Sequence, residues 1–167
     1  ESTTLTNTPT VYIDHTTWDN IGTTDPREVL LGEDGIANPW TVTNSNGTPA
    51  GTNTIDKIQG NCVLRENWTS AKGNYTGTSN NFYNSQTQQW EQIWLDNQGG
   101  TLHLKGNRVG NQMILQSDEL KNSNGEPYIH RITWTLNDDG SVRQYWETIT
   151  NDKDIVVAFD GLYKKTQ

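Results

Sequence analysis

The chain is poor in sulfur, in basic residues and in long apolar segments. Its 167 residues include one cysteine, Cys62, so no disulfide can form within the chain. No apolar run approaches the roughly 18 residues that a membrane-spanning helix needs, so we expect no membrane span. Lysine and arginine total 12 against 20 acidic residues, and the net charge of −8 argues against nucleic acid as a partner.

Familiar catalytic and metal-binding signatures are missing as well. The three histidines, His15, His103 and His130, are too widely spaced for a zinc motif. The chain has no serine nucleophile elbow and no phosphate-cradling glycine loop. The sequence therefore predicts no metal site and no cofactor.

Large amphipathic aromatic residues are abundant instead. Seven tryptophans and six tyrosines stand against two phenylalanines, while only 31% of the residues are hydrophobic. Tryptophan and tyrosine must therefore supply much of the buried surface, and their N–H and O–H groups need partners. Cys62, in the strand-like run "NCVLREN", is expected to be a buried and inert thiol. The threonine-rich start "ESTTLTNTPT", which has no initiating methionine, favours an exported protein, periplasmic or secreted.

Short β-rich runs recur from Trp40 onward, separated by glycine-, asparagine- and aspartate-rich segments of the kind that form tight turns. In chain order the runs cover residues 40–43, 51–58, 62–69, 75–83, 90–96, 101–106, 112–118, 128–136, 142–149 and 154–165. No window shows a sustained helical period. The pattern predicts an all-β fold, a closed antiparallel up-and-down barrel of about ten strands, whose interior can hold one small ligand.

The first 39 residues do not follow this rhythm. Residues 10–19 favour an additional strand, and residues 25–32 favour a helical turn with Asp25 as its cap. We therefore divide the chain into an N-terminal extension, residues 1–39, and a barrel domain, residues 40–167. The extension is expected to be partly ordered and to pack on or near a mouth of the barrel.

Three motifs carry a resemblance to a known family. They are "WEQIWLDNQGG" at Trp90 to Gly100, "RITWT" at Arg131 to Thr135 and "RQYWE" at Arg143 to Glu147. Over about residues 40–165 the chain resembles a family of largely uncharacterised bacterial lipocalin-like (calycin-type) proteins, related in shape to nitrobindins and fatty-acid-binding proteins. The resemblance implies a closed barrel with an internal pocket and no particular activity. If the barrel bound haem as nitrobindins do, His130 would be the axial ligand.

The run "WEQIWLD" bears most directly on function. Trp90, Gln92 and Trp94 alternate on one face, and Glu91 lies on the other, which indicates that the tryptophan face points inward. An interior of indole and amide groups suits a flat, mostly apolar ligand with a few polar atoms. A solid core, in which the glutamine bonds to backbone or water, is the alternative.

Two further runs supply a candidate carboxylate and its partners. Glu66 and Trp68 share a face of the run 62–69, and an inward Glu66 needs a cation or a donor. Arg131 and Arg143 are the partners that the sequence offers. The inward face of residues 128–136 stays undecided, since apolar content favours the His130 side and a polar pocket favours the Arg131 side.

The run 142–149 completes the predicted site. Gln144 and Trp146 share one face and are expected to line the cavity, whereas Arg143 and Glu147 suggest an exterior ion pair. The predicted ligand-binding residues are Glu66, Trp68, Tyr83, Trp90, Gln92, Trp94, Arg131, Gln144 and Trp146.

Three functions from different classes stay open. The favoured one is a non-enzymatic barrel that binds a small apolar or aromatic molecule in a tryptophan-lined cavity. The second is an enzyme of isomerase, cyclase or lyase type, with Glu66 as acid or base and Arg131 or Tyr83 orienting the substrate. The third is an interaction module in which residues 1–39 engage a partner or a second copy of the chain, forming a homodimer.

Overall fold

Every predicted run from Trp40 onward is a strand. The computed structural model describes residues 39–151 and 153–166. The strands are β1 (Trp40–Asn44), β2 (Pro49–Ile58), β3 (Val63–Ser70), β4 (Thr76–Asn84), β5 (Gln89–Asp96), β6 (Thr101–Val109), β7 (Gln112–Ser117), β8 (Leu120–Lys121), β9 (Pro127–Leu136), β10 (Val142–Thr150) and β11 (Asp154–Lys165). Within these described ranges the structure contains no helix, and hence none long and apolar enough to cross a membrane.

Ten of the strands close into one antiparallel barrel. Each strand from β1 to β7 pairs with its neighbour in sequence, β9 follows β7, and β10 and β11 lead back to β1. The two-residue β8 pairs with the start of β9, through Leu120 and Lys121. The predicted all-β fold and closed barrel of about ten strands are confirmed, and β8 is an addition that the sequence did not predict.

The two ends of the barrel are packed differently. Large apolar side chains fill one end, which we call the packed end. It contains Trp40, Ile55, Leu64, Trp90, Met113, Trp134 and Val142. The opposite end, which we call the cavity end, is ringed by the turns that join β1 to β2, β3 to β4, β5 to β6 and β10 to β11. The strand alternation that buries one face continues into the cavity end, but polar and aromatic residues replace aliphatic ones there.

The position of Cys62 corrects a prediction. The residue is exposed, and it ends a turn in which its backbone N–H donates to the Gln59 carbonyl at 3.2 Å. Gln59 and Asn61 both have positive φ, which interrupts the extended backbone. The prediction of a buried thiol is wrong because the strand begins only at Val63.

Other predictions lie beyond the described ranges. The strand at 10–19 and the helical turn at 25–32 fall outside them, as does all of the N-terminal extension except Pro39. The division between extension and barrel stays a prediction.

Candidate functional site

A cavity of about 370 Å³ occupies the cavity end of the barrel. Six aromatic residues line it, namely Trp68, Tyr75, Trp94, Trp146, Phe159 and Tyr163. The polar groups among them include Glu66, Gln92 and Gln144 on inward faces and Lys72 in the turn after β3. The volume falls within the range of roughly 300–1,000 Å³ that is typical of small-molecule sites.

Inward-facing glycines allow the tryptophans to form walls instead of filling the barrel. Gly77 on β4 lies against the indole of Trp94, and a Cβ atom at Gly77 would overlap that ring. Gly51 on β2 lies in the same way under Trp68, where an added Cβ would come within 2.7 Å of the indole. Each ring therefore occupies space next to the strand that a side chain would otherwise take, and the centre of the cavity end stays free.

Gly77→Ala is expected to displace Trp94 and to destabilise the protein by about 1–3 kcal/mol, the usual cost of overpacking. The free energy of unfolding from urea titration measures the effect. The clash is with Trp94, so the same substitution in a Trp94→Ala background should cost far less. Equal costs in the two backgrounds would show that Gly77 is needed for another reason.

Glu66 lies at the centre of a buried hydrogen-bond network between β2, β3 and β4. Its side chain is 5% exposed and accepts from Asn53 Nδ2 at 2.8 Å and from Ser79 Oγ at 2.6 Å. Ser79 Oγ in turn accepts from Asn81 Nδ2 at 2.9 Å and Gln92 Nε2 at 3.3 Å. Four neutral residues thus hold the carboxylate in place at the cavity wall.

Burial dominates the electrostatics of this network. It raises the pKa of the Glu66 carboxyl, and the hydrogen bonds from Ser79 and Asn53 oppose the shift only in part. Burial, together with the negative charge of Glu66, also raises the pKa of Tyr163 well above its ordinary value. Tyr163 Oη donates to Gln144 Oε1 at 2.6 Å. The cavity therefore combines one acidic group that is easily protonated with a phenol that keeps its proton.

The structure brings six of the predicted site residues to the cavity. They are Glu66, Trp68, Gln92, Trp94, Gln144 and Trp146. Tyr83 and Trp90 face inward but do not line it, since their rings lie edge to face at the packed end, 6.0 Å apart. Whether any of these residues binds a ligand stays a prediction.

Both arginines pair with carboxylates on the outside of the barrel. Arg131 lies on the outer face of β9, where its Nε donates to Glu147 Oε2 at 2.9 Å. Arg143 pairs with Asp160, its Nε 2.7 Å from Oδ1, so the predicted exterior pair of Arg143 with Glu147 is wrong. Cross-strand registry explains both cases, because each arginine is bonded to a carboxylate of the neighbouring strand. Neither arginine reaches Glu66.

The inward face of β9 follows apolar content. Ile132 and Trp134 are buried, and Ile132 lines the cavity. His130 lies behind the cavity wall, where its Nδ1 accepts from Trp146 Nε1 at 3.0 Å. Burial lowers the pKa of His130 below its ordinary value. The histidine that haem ligation would require is therefore bonded to Trp146, and it is not among the residues that line the cavity.

Two parts of the site were missed in the sequence. Asn53, Ser79 and Asn81 lie on the inward faces of β2 and β4, but alternation alone does not reveal that these faces converge on Glu66. Phe159 and Tyr163 were missed because the inward face of residues 154–165 was not assigned, and the register of β11 against β10 shifts next to the pairing of Trp146 with Phe159. That irregularity changes which residues of β11 before Phe159 point inward, and the amino-acid pattern does not mark it.

The fold and the cavity define a class: a closed antiparallel β-barrel with an aromatic internal cavity and a buried carboxylate in its wall. The chain matches no protein-family model and no curated protein. The resemblance to lipocalin-like proteins therefore stays a prediction.

Proposed function

We propose that the barrel binds a small apolar or aromatic molecule in its cavity, and that binding itself is the function. The observation that carries this proposal is the contrast between the two ends of one barrel. The packed end is filled by apolar side chains, whereas the cavity end keeps about 370 Å³ free behind aromatic walls. A barrel that needed only stability would gain from filling that space, because empty volume costs packing energy.

The chemistry of the wall supports the same proposal. Trp68, Trp94 and Trp146 offer broad apolar surfaces, and a few fixed polar groups, such as Gln92, give direction to a ligand. Hydrogen bonds within the wall hold these groups before any ligand arrives. Such preorganisation lowers the entropy that binding must overcome.

Titration with the neutral fluorescent probe N-phenyl-1-naphthylamine tests the proposal. We expect saturable binding with one probe per chain, and Trp94→Ala and Trp146→Ala should each weaken it by about tenfold, since each removes a large contact surface. Probe fluorescence against protein concentration gives the affinity.

Ile93→Ala is the matched control. Ile93 precedes Trp94 on β5 and faces outward, 38% exposed, so its loss should leave probe affinity unchanged. Unchanged affinity in both tryptophan variants would show that the probe binds elsewhere. The absence of saturable binding by the wild type would contradict the proposal as a whole.

One observation favours an enzymatic alternative. Glu66 is a buried carboxyl with a raised pKa at a cavity wall, which is the environment of many general acids and bases. Arg131 and Tyr83 cannot assist it as the sequence suggested, because neither lines the cavity. Tyr163 takes that place in this alternative. Turnover of a substrate that Glu66→Gln abolishes, while probe binding persists, would favour the enzyme.

The remaining hypotheses rest on other evidence. The interaction module depends on residues 1–39, nearly all of which lie outside the described ranges. It therefore stays a prediction, as does an exported location.

A further inference from the structure

The cavity wall carries an acidic group that has no cationic partner. The hydrogen bonds that the Glu66 side chain accepts come from Asn53 and Ser79, which are both neutral. Among the described residues, the one basic side chain that lines the cavity is Lys72, which lies in the exposed turn between β3 and β4. A buried carboxylate without a counter-ion is costly unless it takes up a proton or a cation approaches it.

The hydrogen-bonding capacity around Glu66 points in the same direction. A carboxylate offers about four acceptor sites, and two of those on Glu66 are used. Two buried atoms of the same network have no partner, Asn53 Oδ1 and Asn81 Oδ1, and both are acceptors. Asn53 and Asn81 do not line the cavity, so the acceptor sites that a ligand in the cavity can use are those of Glu66 itself.

The aromatic walls favour a cation as well. The ring of Trp68 lies edge to face with that of Phe159, 6.0 Å between centroids, and is tilted against that of Tyr163 at 6.3 Å. Trp94 and Trp146 also line the cavity. The faces of such rings attract positive charge, tryptophan most strongly, and the attraction grows when water is excluded. Aromatic rings around a carboxylate form a suitable environment for an ammonium group on an apolar body.

We propose that the ligand of this cavity is an organic cation, an apolar or aromatic molecule bearing a protonated amine that is directed at Glu66. The inference rests on the proposed function and adds the charge of the ligand to it. The ammonium group donates to the free acceptor sites of Glu66, and the body of the ligand packs against Trp68, Trp94 and Trp146. An anionic ligand of the same shape is repelled by the same carboxylate.

Binding of such a ligand is linked to protons. Burial raises the pKa of Glu66, and a bound ammonium group lowers it again, so at a pH where the carboxyl is protonated the amine can bind only as that proton is released to solvent. The other titratable groups at the cavity are Tyr163, Tyr75 and Lys72. The pKa values of both tyrosines are raised. The tyrosines therefore stay neutral between pH 5 and pH 8. His130, whose Nδ1 accepts from the wall residue Trp146, also takes up a proton in this range. The part of the pH dependence that Glu66→Gln abolishes is therefore the part that comes from Glu66.

A matched series of competitors tests the proposal on the full chain. Tryptamine, tryptophol and indole-3-acetate share one ring system and carry a positive, a neutral and a negative group. Each is titrated at pH 8 against bound N-phenyl-1-naphthylamine. We expect tryptamine to displace the probe at a concentration at least about tenfold lower than tryptophol, as a charge-assisted hydrogen bond implies, with indole-3-acetate the weakest. The advantage of tryptamine should shrink as the pH falls to 5.

Two isosteric variants distinguish the effect of the Glu66 charge from the effect of removing a buried carboxylate elsewhere in the barrel. Glu66→Gln should remove the preference for tryptamine over tryptophol, with each competitor measured against the probe bound to that variant. Glu91→Gln removes a buried carboxylate from the outer face of β5, where it bonds to Asn84 and His103, and should leave the preference intact. Equal changes in the two variants would overturn the assignment to Glu66.

The outcomes distinguish this inference from the proposed function. If the probe binds the wild type and tryptophol or indole-3-acetate competes as well as tryptamine, the ligand is not a cation and the binding function stands. If none of the three competitors displaces a bound probe, tryptamine included, the cation site is also contradicted. If the probe itself does not bind, the proposed function fails, and this inference fails with it.

Discussion

Glu66→Gln is expected to make the folded protein more stable than the wild type at pH 8, because it removes a buried charge that has no counter-ion. The amide keeps the size and shape of the side chain and one acceptor for Asn53 or Ser79. The advantage of the variant should fall as the pH is lowered and should vanish near pH 4. Urea unfolding at a series of pH values measures it.

The sign of this dependence follows from the direction of the pKa shift. The folded-state pKa of Glu66 is raised, so the folded protein holds this proton more tightly than the unfolded chain does. The tighter binding of this proton stabilises the folded protein. That stabilisation is fully present below the pKa of Glu66 in the unfolded chain, about 4.3, and is lost as the pH rises through the pKa in the folded protein. Glutamine does not titrate, so the difference between the two proteins isolates this one group.

Other titrating groups affect both proteins equally. The pKa of His130 is lowered by burial, so protonation of His130 below pH 6.5 destabilises the wild type and the variant alike. The comparison therefore requires the difference between the two curves. A constant difference from pH 4 to pH 8 would mean that Glu66 ionises as freely in the folded protein as in the unfolded chain.

Trp134→Ala is expected to lower the free energy of unfolding by about 3–5 kcal/mol, as truncation of a core aromatic residue does. Trp134 is 2% exposed at the packed end, and its ring lies edge to face with Tyr163 at 5.3 Å. Trp134→Phe is the control. It keeps a ring and removes an indole N–H that has no partner, so its cost should be much smaller.

The same truncation in the cavity wall should have a different outcome. Trp94 is half-buried and borders free space, so Trp94→Ala should cost less stability than Trp134→Ala, about 1.5–3 kcal/mol, while reducing probe affinity. Urea unfolding and probe titration on both alanine variants measure the contrast. Similar stability losses at the two positions would show that the barrel is packed uniformly from end to end.

The strands could be predicted from the sequence because two simple signals coincided. Alternation on runs such as 90–96 and turn residues between the runs located all ten barrel strands. Trp90, Gln92 and Trp94 face inward as the opposed Glu91 suggested. The two-residue β8 was missed because Leu120 and Lys121 are too few to show a period.

The details of the site depended on contacts between strands that are distant in sequence. Nothing near Glu66 in the chain identifies Asn53 or Ser79 as its partners, and the arginines that seemed available are bonded to carboxylates on adjacent strands. Positive φ at Asn61 moved Cys62 out of the strand. Registry, bulges and local backbone conformation set these outcomes, and none of them has a strong signature in the sequence.

Native mass spectrometry with excess N-phenyl-1-naphthylamine tests the hollow cavity end most directly. The wild type should retain one probe per chain, and Gly77→Val should retain much less, because the added side chain forces Trp94 into the free space. Retention of no probe by the wild type, or equal retention by both proteins, would contradict a ligand-binding cavity walled by Trp94.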